Sequence, residues 1–541
     1  MSPPLLSARP EEGRGRPVEP RLHRRQFVLG PEPLLAAEGW ISEQIAPSLH
    51  LSRCAELPAA SVTDRRGVTW WLLGVALQSD PDAPAPLQQL ADNDKSTLLD
   101  VYRSWSGRWI LISDSEIHLD ACGLVGCFYR TIHHGPKAEL WASSSPALIV
   151  ALPGRKRISH AAAKIHPGKG MDWYPPPRSG FAGVNKLLPT QILSLAAATG
   201  RRVLPRPPLV DVRKPKTYDE ALDALQRNLV TSLSRLRERA EGIWLPLTSG
   251  LDSRLILAAA TQADLPLTTF TQRYPLMESG DRQLPPLLAR VVGYDHRELR
   301  PGRFSRSRQA LFDAHTAGHC VDGDRRFFAH GQWEMIPAPA LILRGGVFEL
   351  GRCYFHRKFP EPESGDLFES IAARFHFDEF HPTSSAHFAG IADWVEWTAG
   401  TSHTGLDWRD RLYLEQRIAG WVSSIEQALD LTVYERAYIA NCHTYLATVL
   451  TLPEAARRDS QHHVDLISRM APQLLRFPFN PADGRSALAR RLRDEWYEFA
   501  ARPRKRRYAA YVARRGAGRA RQALARLRED RRGARDSIRH V

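Results

Sequence analysis

Four prolines between residues 201 and 216 (Pro205, Pro207, Pro208 and Pro215) divide the chain into two stretches whose apolar residues recur with different periods. Proline fixes its own φ and donates no backbone hydrogen bond, so neither a central strand nor a helix runs through such a segment. Before it come short apolar runs broken by turn residues, among them Thr69-Trp-Trp-Leu-Leu-Gly74, Arg108-Trp-Ile-Leu-Ile-Ser113, Gly126-Cys-Phe-Tyr-Arg130 and Gln191-Ile-Leu-Ser-Leu195. They predict a β-rich domain over 26–205. After it, Leu222, Leu225, Leu229, Leu233 and Leu236 recur at spacings of three and four, the period of an amphipathic helix. Strand-like runs at 243–247, 267–271 and 340–344 then alternate with helical ones at 255–263 and 281–292, the latter stopped by Gly293. The alternation predicts an α/β domain on a doubly wound parallel sheet over 206–500, mainly helical after about residue 366. Residues 1–25, polar and rich in Pro, Gly and Arg, predict a flexible arm.

With 43% hydrophobic and 25% charged residues, the 541-residue chain excludes general disorder. No apolar run approaches the roughly 20 residues of a membrane span. No apolar segment of signal-peptide length follows Met1, so the expected location is the cytoplasm. Six scattered cysteines (54, 122, 127, 320, 353 and 442) match no small disulfide framework, and Cys122 and Cys127 lack the further ligands of a zinc site. They are expected to be buried thiols. The net charge of +15 is local: 501–541 holds 15 Lys and Arg against Glu529, Asp530 and Asp536, leaving 59 basic and 56 acidic groups elsewhere. This Arg-rich tail is either a solvated helix end or a site for RNA, an acidic peptide or a partner.

The most informative stretch is Leu245-Pro-Leu-Thr-Ser-Gly-Leu-Asp-Ser-Arg254, between the first predicted strand of the second domain and its helix. Ligands of open α/β sheets bind at the carboxyl ends of strands, beside helix N-termini. There, Thr248, Ser249 and Ser253 offer hydroxyls, and Gly250 lets an anion approach the backbone. Asp252 would repel a bare phosphate, so it implies a bridging divalent cation. The pattern lacks the Gly-x-x-x-x-Gly-Lys-Ser/Thr of common NTPase loops, and an ordinary N-capped helix start is the bland alternative.

This stretch resembles the pyrophosphate loop of the asparagine-synthetase superfamily, usually Ser-Gly-Gly-x-Asp-Ser, with Thr248 and Ser249 in place of its first Ser and Gly. Thr268-Thr-Phe-Thr271, Asp281 and Leu287-Leu-Ala-Arg-Val-Val-Gly-Tyr-Asp-His296 resemble the elements that follow it. Arg344-Gly-Gly-Val-Phe-Glu-Leu-Gly-Arg-Cys-Tyr354 resembles the family's second metal and pyrophosphate motif, one residue shorter. Trp105-Ser-Gly-Arg-Trp-Ile-Leu-Ile112, Leu119-Asp-Ala-Cys-Gly123 and Leu140-Trp-Ala-Ser-Ser144 resemble the family's amidotransferase half, which has an Ntn-type sandwich fold. The glutaminase of that half needs an N-terminal Cys, and no Cys precedes position 54 here. The resemblance therefore implies a glutamine-independent enzyme.

Tyr413-Leu-Glu-Gln-Arg417, Gly420-Trp421, Asn441, Leu452-Pro453 and Pro478-Phe-Asn-Pro481 are similar to the subgroup of lasso-peptide macrolactam synthetases. Those enzymes adenylate an Asp or Glu side chain of a leader-cleaved peptide, and its N-terminal amine closes the ring. The resemblance implies ATP and Mg²⁺ as cofactors, with the nucleotide on Thr248, Ser249, Gly250, Leu251, Asp252, Ser253, Thr271, Arg344 and Gly345. It implies the metal on Asp252 and Glu349, with pairing of Glu349 to Arg352 as the structural alternative. Glu415 with Tyr413 is the candidate for the amine step; a helix-surface pairing of Glu415 with Arg411 is the alternative. Lys505, or an Arg such as Arg485, would stand for a family lysine. A precursor peptide, a leader peptidase and a leader-recognition protein are the implied partners, with nucleic acid not expected.

His133-His134 and His462-His463 are expected at the surface, and Trp70, Trp71, Trp105 and Trp109 in the first core. Competing readings are a β-lactam-synthetase-like enzyme on a small substrate, a scaffold with a degenerate loop, and a tRNA-modifying enzyme using the tail.

Overall fold

The computed structural model describes residues 20–94, 98–134, 137–152, 165, 170–195, 202–207, 217–237, 239, 242–274, 277–320, 324–359, 366–401 and 406–481. Twelve strands form the first half: β1 (Phe27–Gly30), β2 (Trp40–Ala46), β3 (Leu49–Cys54), β4 (Ala59–Thr63), β5 (Thr69–Gln78), β6 (Trp105–Ile112), β7 (Glu116–Leu119), β8 (Phe128–His134), β9 (Lys137–Ser143), β10 (Asn185–Lys186), β11 (Gln191–Ser194) and β12 (Val203–Pro205). They make two antiparallel sheets, ordered β10-β8-β9-β1-β3-β2 and β12-β11-β7-β6-β5-β4. Phe27, Leu29 and Leu51 of the first sheet share a core with Leu73, Ile110, Ile112 and Leu193 of the second, which makes the pair a sandwich. Every residue of β6 is buried. Its outer face carries Trp105 and Trp109 against Trp70 and Tyr102, as the tryptophan pattern predicts, while Trp71 lies half-buried over the inter-sheet core.

The second half is built on β13 (Gly242–Pro246), β14 (Thr268–Gln272), β15 (Asp295–Leu299), β16 (Ala340–Leu343) and β17 (Glu435–Ala437). All pairs are parallel, in the order β15-β14-β13-β16-β17, so the fold class is the predicted α/β. Apolar runs such as Ile243-Trp-Leu245 and the wholly buried β16 suit a sheet covered on both faces. Helices α1 (Tyr218–Ser234), α2 (Leu251–Gln262), α3 (Ser279–Val291), α4 (Ala386–Gly400), α5 (Ser423–Leu429) and α6 (Gln461–Met470) belong to this half. A capping box of Thr217 and Glu220 starts α1, and its leucine stripe is buried, as its period predicts. Between α4 and α5 lies a π-helix, Tyr413–Val422, a form rare outside functional or strained segments.

Among the described residues the two halves share contacts in one compact unit that reaches from the first sheet to residue 480. Val75, Leu77 and Leu124 of the sandwich join the same buried cluster as Leu225, Leu229 and Leu245. Residues 20–25 depart from the expected arm. Arg24 is buried with Nε 2.8 Å from Glu56 Oε2, and Arg25 Nη2 donates to the Val433 carbonyl at 2.8 Å. Basic residues at that spacing meet an acid and a carbonyl of the folded body, a long-range pairing that composition does not encode. All six cysteines are buried, and none is joined in a disulfide. No helix among the described residues is long and apolar enough to cross a membrane.

Candidate active site

β13 and β16 lie side by side where the strand order reverses, the topological switch point at which doubly wound sheets bind ligands. The connection after β13 is 247–250; that after β16 begins at Arg344 and runs into a 3₁₀ turn, Phe348–Arg352. The two meet: a Cβ placed on Gly345 would lie 3.5 Å from Asp252 Cβ. α2 starts four residues before its predicted beginning, so Leu251, Asp252 and Ser253 form its first turn rather than a loop. Gly250 is the N-cap and supplies no side-chain acceptor. First-turn N–H groups have no intrahelical partner, so those of Leu251, Asp252 and Ser253 present an anion-binding end.

The hydroxyls on either side hold the loop together. Thr248 Oγ1 accepts from the Gly250 N–H at 3.1 Å, and Ser253 Oγ accepts from the Thr248 N–H at 3.1 Å. Ser249 is turned inward and buried, donating its N–H (2.8 Å) and hydroxyl (2.7 Å) to Asp281 Oδ1. Sequence reasoning assigns an anion the N–H groups of 249–253; in the structure Ser249 and Gly250 spend theirs within the protein. Thr271 is likewise committed, donating its hydroxyl to the Leu247 carbonyl at 2.7 Å and tying the end of β14 to the loop.

Asp252 accepts from Arg352 Nη1 at 3.1 Å and lies 3.4 Å from His463 Nε2. Glu349 accepts from the Tyr413 hydroxyl at 2.8 Å. Arg352 therefore pairs with Asp252 rather than with Glu349. Burial raises the Tyr413 pKa well above the ordinary tyrosine value; the charges of Glu349 and, more weakly, Asp252 add to this, while Arg417 opposes it. Three charged groups thus act on one hydroxyl. Arg417 itself lies 3.6 Å from the Trp421 ring centre and 5.2 Å from that of Trp173, with Nη1 donating to Asp172 at 3.3 Å.

Arg344 Nε donates to Glu426 Oε1 at 3.2 Å, and Tyr438 donates to the same oxygen at 2.7 Å. Behind them runs a buried ion network. Arg436 bridges Glu426 and Asp430, Arg108 grips Asp430 at 2.7 and 2.8 Å, and Gln26 Nε2 reaches Asp430 at 2.6 Å. Burial alone would raise the pKa of Asp430 and Glu426, but the surrounding arginines overcome it and hold both below the usual carboxylate values. The chain connects the head of β1 to the second motif. Gln26 is fully buried, its amide oxygen accepting from Ser144 Oγ at 2.7 Å.

Other expected residues fall elsewhere. Glu415 is completely buried, accepting from Trp394 Nε1 (2.5 Å), Arg411 Nε (3.1 Å) and the Thr190 hydroxyl. The π-helix turns it into the core, so its Arg411 pairing is internal rather than at the helix surface, and its oxygens already carry three donors. His462 and His463 are both fully buried, contrary to the surface expectation: α6 packs on α2, His463 lies beside Asp252, and His462 lies near Ala456. Burial, then His463, pushes His462 down to about 2. His133 is exposed. Lys505 and Arg485 lie outside the described residues.

Sequence reasoning missed Arg254, Arg352, His463, Asn480 and the Arg344–Glu426 pair as parts of this site. Arg254, Arg344, Arg352 and Asn480 lie inside the motifs already singled out, without these contacts being legible there; His463 and Glu426 come from segments that carry no such motif. Mg²⁺ takes oxygen ligands, commonly one or two carboxylates plus substrate phosphates. Asp252 on the first turn of α2 and Glu349 on the turn after β16 are carboxylates of the kind that demand requires. Among the described residues no group of three or more His, Cys, Asp and Glu forms a protein-only metal cage.

No protein-family model and no curated protein matches the chain. Among solved structures, NMN synthetase from Francisella tularensis is similar at 17% identity over 39% of this chain and 92% of its own, with a TM-score of 0.18. A structure described as the allosteric regulatory enzyme of purine biosynthesis is similar at 8% identity over 55% and 73%, with a TM-score of 0.21. Overlaps this loose say nothing about the site.

Proposed function

We propose that this chain is an ATP-dependent carbon–nitrogen ligase that activates a carboxylate as an acyl-adenylate and joins it to an amine, releasing pyrophosphate and AMP. The observation that carries the proposal is the meeting of the β13 and β16 connections at the switch point, with Asp252 on the uncapped first turn of α2 and Glu349 on the 3₁₀ turn after β16. The first-turn N–H groups of Leu251, Asp252 and Ser253 face the polyphosphate, and Arg344, fixed by Glu426, supplies a cation at the second connection. Mg²⁺, held by Asp252 and Glu349, would neutralise charge on the departing pyrophosphate. The substrate carboxylate attacks the α-phosphorus; the amine then attacks the acyl carbon and AMP leaves. Tyr413, kept protonated by its raised pKa, serves as a hydrogen-bond donor and not as a base.

In this reading the amine comes from the substrate and not from glutamine, because no Cys before position 54 offers the thiol that the glutaminase of the resembling family needs. For the substrate, the resemblance at 413–417, 420–421 and 478–481 supports a leader-cleaved peptide whose Asp or Glu side chain is joined to its own N-terminal amine. The chain would then work in the cytoplasm with a leader peptidase and a leader-recognition protein. The test is intact mass spectrometry of the core peptide encoded beside this gene, incubated with the protein, those partners and Mg·ATP. Loss of one water from the peptide with stoichiometric AMP is the expected result. AMP without peptide change would replace the peptide by a small substrate, and neither product with active partners would overturn the ligase.

A further inference from the structure

Arg254 lies on the first full turn of α2, two residues past Asp252, and is completely buried. Its guanidinium meets carbonyl oxygens only. Nη1 donates to Leu474 (3.1 Å) and Phe477 (2.8 Å), and Nη2 to Ser249 (3.0 Å) and Pro478 (3.0 Å). The Phe479 ring covers it at 4.3 Å. Among the described residues no carboxylate pairs with it. Burial lowers its pKa to about 10, so it stays charged at neutral pH. A buried cation without a counter-ion is costly, and proteins keep such charges where the charge or its geometry is used.

Its position shows the use. A trans peptide sets C=O and N–H in opposite directions. With the Ser249 carbonyl drawn inward to Arg254, the Gly250 N–H turns outward to Thr248, and the loop takes the shape that leaves the following N–H groups free. The strap 474–480 closes over the same point: the Asn480 N–H lies 3.4 Å from the Ser249 carbonyl, and its Oδ1 lies 3.3 Å from Ser249 Oγ.

Resting on the nucleotide reading above, we propose that Arg254 is the positioning residue of the polyphosphate site. It clamps the 247–250 loop between α2 and the 474–480 strap and stands as an uncompensated positive charge behind the helix N-terminus.

The test is calorimetric titration of the full chain and of Arg254→Gln, Arg254→Lys and Asn480→Ala with Mg·ATP, inorganic pyrophosphate and adenosine. Arg254→Gln is expected to lose roughly tenfold or more in affinity for Mg·ATP and pyrophosphate, the scale of a charged hydrogen-bonding group, while adenosine binding is preserved. Arg254→Lys keeps the charge but reaches fewer carbonyls, so an intermediate loss is expected. Asn480→Ala, which leaves the cation in place, is expected to weaken pyrophosphate severalfold and to carry the test with the Lys variant if Arg254→Gln fails to fold. Variants that bind pyrophosphate as tightly as the parent, or lose adenosine equally, would overturn the positioning role alone. A parent chain that binds neither Mg·ATP nor pyrophosphate would overturn the nucleotide reading together with it.

Discussion

Tyr413 donates its hydroxyl to Glu349 across 2.8 Å, joining the π-helix to the connection that follows β16. Because burial first, and the neighbouring carboxylates next, raise the tyrosine pKa, the phenol keeps its proton throughout the neutral range. Removing the hydroxyl leaves Glu349 with one donor fewer. Tyr413→Phe should lower the rate of AMP formation roughly ten- to hundredfold and cost about 1 kcal/mol of stability. Steady-state assays with a urea titration check both. A titrating phenolate would appear as an activity limb below pH 10, which this assignment does not allow.

Asp252 is the carboxylate that Arg352 and His463 address and that the β16 connection approaches. Asp252→Asn keeps the shape and removes the charge. AMP formation should fall by on the order of a thousandfold, while far-UV circular dichroism stays unchanged. An active Asn variant would remove Asp252 from metal binding.

The parallel sheet, the sandwich, the buried tryptophans and the loop after β13 were legible because each rests on short-range signals: hydrophobic period, turn residues, and a Gly-containing connection at a strand end. Three-residue β17 was not, since so short a run carries no period. The burial of Glu415 and His463 was hidden for a related reason. Whether a charged or imidazole side chain faces solvent depends on which helix face is covered, and within Tyr413–Val422 the turn is not the 3.6-residue one on which face assignments rely. Arg352 three residues from Glu349 looked like a local pair, yet the partner it takes is 100 positions away.

Lys186 offers a pH test. It is buried against Phe128, 5.1 Å from the ring centre, with Nζ donating to Ser423 Oγ at 3.1 Å, and burial lowers its pKa from 10.5 to about 7. Between those values the unfolded chain holds a proton that the folded chain has released. Unfolding free energy from this group therefore rises with pH from about 7 towards 10. Thermal melts of the parent should show that rise, and Lys186→Met should flatten it and be the more stable protein at pH 6. An unchanged slope in the variant would place the titration elsewhere.

Glu415 separates a structural acid from a chemical one. With Arg411, Trp394 and Thr190 all donating to it in a sealed environment, Glu415→Gln strands the buried Arg411 charge. Loss of one partner of a buried ion pair costs about 3 kcal/mol or more, so the urea midpoint should fall sharply. Folded Gln variant, counted by active-site titration with Mg·ATP, should keep the parent pH profile and a kcat within a few-fold, because no reacting group has been touched. A kcat that collapses while the urea midpoint holds would return Glu415 to the amine step and imply that the π-helix opens during turnover.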